Sequence, residues 1–413
     1  MSATIDDLVA TVKSGQRIGL GIPEPTVFLE ALARRRDLED VTLIMGSPGP
    51  GTIAVAANPG IRLLTLFASP PARELVSSGR IEYLPLTFHG LTGFLPRWAP
   101  DLAVLMTAAP EADGRLRPGS TMAHNDSLVA SLKPGGRAYA LVDDNQPQVL
   151  GEAFTVDDFT ALIPVPPLPP GSGRQAEHSP LAGQVAGFLD ELVSDGATLE
   201  AGVGSLADDA LSRLVHKKGL GIHTEVLGPG LCTLVEAGAA DGATKPNHTG
   251  KVDFTISVQG IAGRIADNPA YYLSGAQTCV NPLVIAANPL LRCFNSALEI
   301  DFGGQANAEV VAGQQYGGVG GQVDFLRACR LVDDALSVMV LESTAAGGTI
   351  SRIVPDLPAG HVATATRYDV DVVVTEYGIA WLRDLSLAER ARNLAAIAHP
   401  DFRDDLAAAA RGR

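Results

Sequence analysis

At 413 residues with 46% hydrophobic side chains, the chain is longer than one hydrophobic core usually serves and too apolar for disorder, so two folded domains are expected. A formal net charge of −15 excludes a general nucleic-acid binder, because basic residues cluster only briefly, at Arg34 to Arg36 and at Lys217 and Lys218. No apolar run reaches the ~18 residues of a membrane span; the N-terminus lacks a basic leader, and Cys232, Cys279, Cys293 and Cys329 have neither metal-like spacing nor a paired framework, which predicts reduced thiols in a cytoplasmic protein.

The 44 glycines and 28 prolines against 5% aromatic residues suit the tight strand-to-helix turns of an α/β fold. Ile5 to Val12 reads as an amphipathic helix, followed by a strand from Arg17 that breaks at Gly19-Leu-Gly21 and a helix through Leu32. Val41 to Met45 is a strand ending in Gly46-Ser-Pro-Gly-Pro-Gly51, and further strands are expected at Ile61 to Phe67, Ile81 to Leu84, Leu102 to Met106 and Arg137 to Val142. This alternation predicts a mostly parallel sheet. Gly19-Leu-Gly21 is followed by Pro23-Glu24-Pro25 rather than a third glycine, which argues against a dinucleotide fingerprint.

Ile163-Pro-Val-Pro-Pro-Leu-Pro-Pro-Gly-Ser-Gly173 can continue neither helix nor central strand, and it sets the expected boundary between a domain of residues 1–175 and one of residues 176–413. Beyond a helix from Pro180 to Val193, the second half repeats the layout of the first. Residues 17–51 run strand, Gly-x-Gly, helix, strand, Gly-rich turn; residues 198–230 run strand, Gly202-Val203-Gly204, helix to about Val215, strand, Gly228-Pro229-Gly230. A duplication giving two similar open α/β domains that face each other across a cleft accounts for this, with chance likeness between two such common units as the alternative.

Between Leu220 and Leu227 the side chains alternate, so His223, Glu225 and Leu227 share one face and Ile222, Thr224 and Val226 the other. Glu225 then lies near the carboxyl end of a strand, where open α/β sheets bind ligands, and is a candidate nucleophile; a solvated glutamate at a strand tip is the bland alternative. Downstream, Asn281-Pro282 is expected in a turn before an apolar strand from Leu283 to Ala286, and Asn295 to Asp301 as another strand. Gly317-Gly-Val-Gly-Gly321 runs into an expected helix, Gln322 to Cys329, so its backbone N–H groups can gather around an oxyanion, unless the run is simply a flexible loop. Ala345 to Arg352 and Val373 to Gly378 are two more strand-to-turn sites carrying polar groups. No His-x-x-x-His cluster and no Gly-x-Ser-x-Gly elbow are present, which argues against a metal site and a serine hydrolase.

Asn295-Ser-Ala-Leu-Glu-Ile-Asp, Gly318-Val-Gly-Gly-Gln-Val-Asp-Phe, Gly347-Gly-Thr-Ile-Ser-Arg-Ile-Val-Pro, Val374-Thr-Glu-Tyr-Gly and Ala398-His-Pro-Asp-Phe-Arg, in this order, resemble the acetyl-CoA hydrolase/transferase family, densely from about Ala201 to Leu406. The resemblance implies a CoA-transferase working by a ping-pong route, in which a glutamate after a Gly-x-His-(Ser/Thr) run carries first an acyl group as an anhydride and then CoA as a thioester. That glutamate falls on Glu225. By the same resemblance, Gly320 and Gly321 belong to the oxyanion turn; Gly202, Val203, Gly204, Ser205 and Leu206 to the CoA loop; Asn281, Leu298 and Gly321 to further CoA contacts; and His223 and Glu376 to the substrate pocket. It also implies acyl-CoA and a small, acetate-like carboxylate as substrates, no permanently bound cofactor or metal, and a homodimer. An acyl-CoA hydrolase using the same glutamate, or a non-catalytic CoA-binding protein, are the alternatives. Two positions depart from the family: Ala346 stands where a lysine is frequent, and Ala108-Ala-Pro-Glu111 replaces a Ser-Pro-Pro-Asp run. With an ordinary glutamate pKa of ~4.3, Glu225 would be ionised at pH 7 and need no base.

Overall fold

The computed structural model describes residues 3–167, 179–202, 204–258 and 260–413. Most of the proline stretch and Val203 therefore lie outside the described residues. The chain divides into two compact units. The first comprises residues 1–173 together with 255–278 and 315–320, and the second comprises residues 174–254, 279–314 and 321–413. The division is thus not the single cut that the proline stretch suggests. Residues 255–278 join the first unit through backbone bridges such as Thr121 to Ile256 and Val149 to Ala266. The turn at 315–320 joins it because the carbonyls of Gly317 and Gly320 accept from the N–H groups of Ala68 and Phe88. Neither contact is encoded locally.

The first sheet contains β1 (Arg17–Leu20), β2 (Val41–Met45), β3 (Ile61–Thr65), β4 (Glu82–Tyr83), β5 (Leu102–Thr107), β6 (Arg137–Val142) and β7 (Ala161–Pro164). Its spatial order is β4-β3-β2-β1-β5-β6-β7, and every pairing is parallel. Parallel sheets covered on both faces need continuous apolar strands, and all six residues from Leu102 to Thr107 are buried. Leu8, Phe28, Leu32, Val104 and Leu141 are among the residues of the core on this sheet.

The second sheet contains β8 (Thr198–Ala201), β9 (Gly221–Leu227), β10 (Val252–Ser257), β11 (Tyr271–Leu273), β12 (Arg292–Asn295), β13 (Leu336–Val340), β14 (Val372–Thr375) and β15 (Gly378–Trp381). Its order, β11-β10-β9-β8-β12-β13-β14-β15, is that of the first sheet with one strand added. The β8–β9, β8–β12, β12–β13 and β13–β14 pairs are parallel, and the added β15 is antiparallel to β14. A shared order of this length supports duplication over chance likeness. Ile300, Leu326, Met339, Val373 and Leu394 pack in a core of the second unit.

Two expected elements differ. Leu283 to Ala286 is helical, within Pro282–Ala286, because Asn281 caps the turn by accepting from the N–H of Leu283 and Pro282 sits at the first helical position, where no donor is needed. Asn295 to Asp301 is not one strand: β12 ends at Asn295, and a separate strand, Glu299–Asp301, pairs antiparallel with Ala306–Asn307.

Candidate active site

In the second sheet the strand order reverses at β8 and β12, which makes their carboxyl ends the topological switch point where open α/β sheets receive ligands. Gly202 follows β8 there, its N–H donating to the carbonyl of Phe294 at 2.8 Å. Any Cβ on Gly202 would overlap the Asn295 side chain, whereas one on Gly204 would make ordinary contact with Ser296 at 3.4 Å. Ser205 is exposed and Leu206 buried at the start of the helix Ser205–Leu211.

Glu225 lies one strand over, near the end of β9, and is half-buried. Its strand is pinned to β8 at this end by Thr224, whose hydroxyl donates to the carbonyl of Ala201 at 3.1 Å and accepts from the N–H of the same residue at 3.3 Å. One Glu225 oxygen, Oε2, accepts from the N–H of Gly321 at 2.6 Å. Gly321 immediately precedes the helix Gln322–Cys329, so the donor sits at a helix start. A Cβ on Gly321 would stand 2.5 Å from Oε2, which explains why this position takes no side chain. Gly320 turns the chain in the left-handed region at φ 52°, open to glycine at little cost.

The carboxyl of Glu225 is not the freely ionised group its sequence suggests. Burial raises its pKa from 4.5 to about 7; the Gly321 hydrogen bond pulls down and the charge of Asp324 in the following helix pushes up. Loss of hydration dominates because a single amide replaces the several waters a solvated carboxylate would hold. At neutral pH about half of the molecules hold this group charged.

The remaining candidate residues are placed as follows. His223 is fully buried, with Nε2 at 2.8 Å from the carbonyl of Cys279 and Nδ1 at 3.8 Å from Asp253. Asn281 spends its side-chain oxygen on the helix cap, and the N–H of half-buried Leu298 donates to the carbonyl of Asn307. Glu376 accepts from the N–H and hydroxyl of Ser343, at 2.9 and 2.5 Å, just past β14. Ala346 is exposed, in a turn at φ 50°. Glu111 pairs with the buried Arg117 in the first unit. Hydrogen bonds thus join Glu225 to Gly321, while the bonds of His223, Asn281 and Glu376 go to other partners.

Sequence reasoning passed over three residues that shape the site. Thr224 locks the strand that carries Glu225. Gln322 donates from Nε2 to the carbonyl of Ser296 at 2.8 Å, tying the start of its helix, beside Gly321, to the segment after β12. Asp208 accepts from the N–H groups of Gly230 and Leu231, which caps the helix after β9. Glu24 makes the same kind of cap in the first unit from a position that does not align with Asp208, so the sequence carries no signal for it. Among the described residues, no group of three or more His, Cys, Asp or Glu could hold a metal ion, and no helix is long and apolar enough to cross a membrane.

Residues 259–410 match the profile of the acetyl-CoA hydrolase/transferase C-terminal domain. Over its length the chain is 32% identical to a succinyl-CoA:cyclohexane-1-carboxylate CoA transferase of Geobacter metallireducens, covering 98% of this chain and 94% of that one. It is 32% identical to a 4-hydroxybutyrate coenzyme A transferase of Clostridium kluyveri, covering 98% and 95%. Its fold is similar to that of RipA from Yersinia pestis, with a TM-score of 0.89 at 28% identity, covering 99% and 97% of the two chains. With the doubled parallel sheet, a carboxylate held by a glycine amide and full-length likeness to these proteins, the chain belongs to the acetyl-CoA hydrolase/transferase family of enzymes.

Proposed function

We propose that the protein is a CoA-transferase that moves CoA from an acyl-CoA to a small carboxylate, with Glu225 as the covalent carrier. The observation that carries this reading is the 2.6 Å hydrogen bond from the Gly321 N–H to the Glu225 carboxylate, at the carboxyl end of the second sheet. The charged Glu225 attacks the thioester carbonyl; the C–S bond breaks, leaving an acyl-glutamyl anhydride and CoA thiolate. The thiolate then attacks Cδ of Glu225, forming the glutamyl thioester and releasing the first carboxylate. An acceptor carboxylate attacks the same carbon and regenerates thiolate, which takes the acyl group from the second anhydride and frees Glu225.

The geometry favours a particular job for Gly321. Whenever thiolate or carboxylate attacks Cδ, negative charge grows on an oxygen of Glu225 itself, and Oε2 already lies against the amide. A preplaced donor of this kind stabilises the tetrahedral intermediate without reorganisation. The raised pKa supports the same reading, since a poorly solvated carboxylate is a better nucleophile than a fully hydrated one. Binding energy from the remote nucleotide part of CoA would help drive formation of the strained anhydride, so truncated thioesters should react far more slowly.

The test is a panel of acyl-CoA donors and carboxylate acceptors followed by mass spectrometry. Exchange of CoA between donor and acceptor, with little free thiol, is expected. Stoichiometric thiol release that ignores the acceptor would replace this reading with a hydrolase acting through the same glutamate.

A further inference from the structure

Two residues before Gly202, and on the same side of β8 as that glycine, stands Glu200. It is 1% exposed, deep in the sheet. Its Oε2 accepts from Nδ2 of Asn295 at 2.8 Å, and Cys293 is its other hydrogen-bonding neighbour. An ionised carboxylate at this depth would exchange its water for a neutral amide and a thiol, a cost that proteins avoid by keeping the proton. Burial, the main cause, drives its pKa well above the usual carboxylate range, and the nearby carboxyl of Glu225 pushes the same way.

Asn295 in turn is 3% exposed and presses its amide oxygen against Gly202, close enough that no Cβ fits between them. The N–H of Gly202 is fixed from the same strand end by the carbonyl of Phe294. The geometry points to Glu200 as a positioning residue that acts as a neutral carboxylic acid: it holds Asn295, and Asn295 sets the Gly202 turn on which CoA binds. This inference rests on the CoA-transferase reading and adds to it a residue that never touches the coenzyme. An acid in this role is replaceable by its isosteric amide but not by a shorter side chain, which would strand the buried Asn295 amide without its partner.

The experiment measures binding of free CoA by calorimetry, together with kcat and KM for the best donor, in wild type and in the Glu200→Gln, Glu200→Ala, Asn295→Ala and Glu200→Ala/Asn295→Ala proteins. Glu200→Gln should stay within about twofold of wild type, whereas Glu200→Ala and Asn295→Ala should each weaken CoA binding roughly tenfold, the loss of one buried hydrogen bond. KM should rise more than kcat falls, and the double variant should be no worse than the weaker single one, because both break one linkage. Should Glu200→Ala fail to fold, the contrast between Glu200→Gln and Asn295→Ala decides in its place. The inference is overturned if Glu200→Gln is as impaired as Asn295→Ala, or if CoA binding is unchanged in Asn295→Ala. Wild-type protein that binds no CoA would overturn the functional reading as well, and that result is visible before any variant is made.

Discussion

At the end of β2 in the first unit stands Gly46; at the equivalent point of the second unit stands Glu225. Two alignments agree on this equivalence. Extending the strand register pairs Gly21 with Gly46 and Gly202 with Glu225, and Gly21 and Gly202 make the same hydrogen bond, to the carbonyls of Val104 and Phe294 in the next strand over. Counting back from Gly49-Pro50-Gly51 and Gly228-Pro229-Gly230 gives the same result. Both units also cap the helix after this strand with a carboxylate from the segment after the preceding one. Glu24 accepts from the N–H groups of Gly49, Gly51 and Thr52 and from the Thr52 hydroxyl, and Asp208 from Gly230 and Leu231.

The scaffold is therefore common, and the difference lies in what fills one position. A Cβ at Gly46 would overlap the end of the Ile22 side chain and stand 3.3 Å from the ring of His124, which burial holds neutral with a pKa lowered to about 4. The first unit closes this point with apolar packing. The second holds there a carboxyl whose pKa burial raises, facing an amide. One fold thus yields a packed apolar core in one copy and a poorly solvated carboxyl in the other, the kind of local cost expected where function opposes stability.

The most severe way to test this contrast is to exchange the two positions. Glu225→Ala should lower CoA transfer by at least ~10³-fold in a coupled exchange assay. Adding Gly46→Glu to that variant should restore none of it, since the Ile22 side chain and the His124 ring fill the space that carboxyl would enter; recovery of activity would show the two ends to be interchangeable. Next in size, Gly321→Ala places a methyl against Oε2 and should reduce kcat by about 10²–10³-fold with the fold retained by circular dichroism. A fall of less than threefold would remove the oxyanion role from this glycine.

The third prediction concerns pH. Glu225 titrates near 4.5 when exposed in the unfolded chain and near 7 when folded. Between these values the folded state binds more protons, so the stability associated with this group is fully present below 4.5 and is lost as pH rises through 7. Glu225→Gln stays neutral and should match wild type at pH 4 but exceed it at pH 8, by on the order of 1–3 kcal/mol in denaturant unfolding. Over the same range kcat/KM of the wild type should rise with pH through about 7, as the carboxylate forms. The smallest effects belong to the caps: Glu24→Ala should cost about 2 kcal/mol and Asp208→Ala about 1, following the number of amides each releases, as read from thermal unfolding.

Much of the scaffold was legible in the sequence because local signals carried it. Val41–Met45 is an apolar run closed by Gly46, Arg137–Val142 is one opened by Gly135 and Gly136, and the glycines up to Gly321 mark the start of Gln322–Cys329. The place of Glu225 near the end of its strand was legible too, from alternation and the glycines around it. The helix Pro282–Ala286 replaces the expected strand because the short apolar run from Leu283 to Ala286 fits either state and the Asn281 cap decides between them. Other features depend on tertiary packing and leave no local trace. The pKa of Glu225 is set by what covers it, the return of residues 255–278 and 315–320 to the first unit is made by distant backbone partners, and Glu200 looks in the sequence like one more charged residue in a strand.

Covalent carriage of CoA by Glu225, as proposed, can be tested directly. Wild-type protein and Glu225→Ala should be incubated with an acyl-CoA in the absence of acceptor, digested, and the peptides weighed. A CoA adduct confined to the peptide holding residue 225, present in wild type and absent from the variant, is the predicted result; unmodified Glu225 in a protein still exchanging CoA at full rate would contradict it.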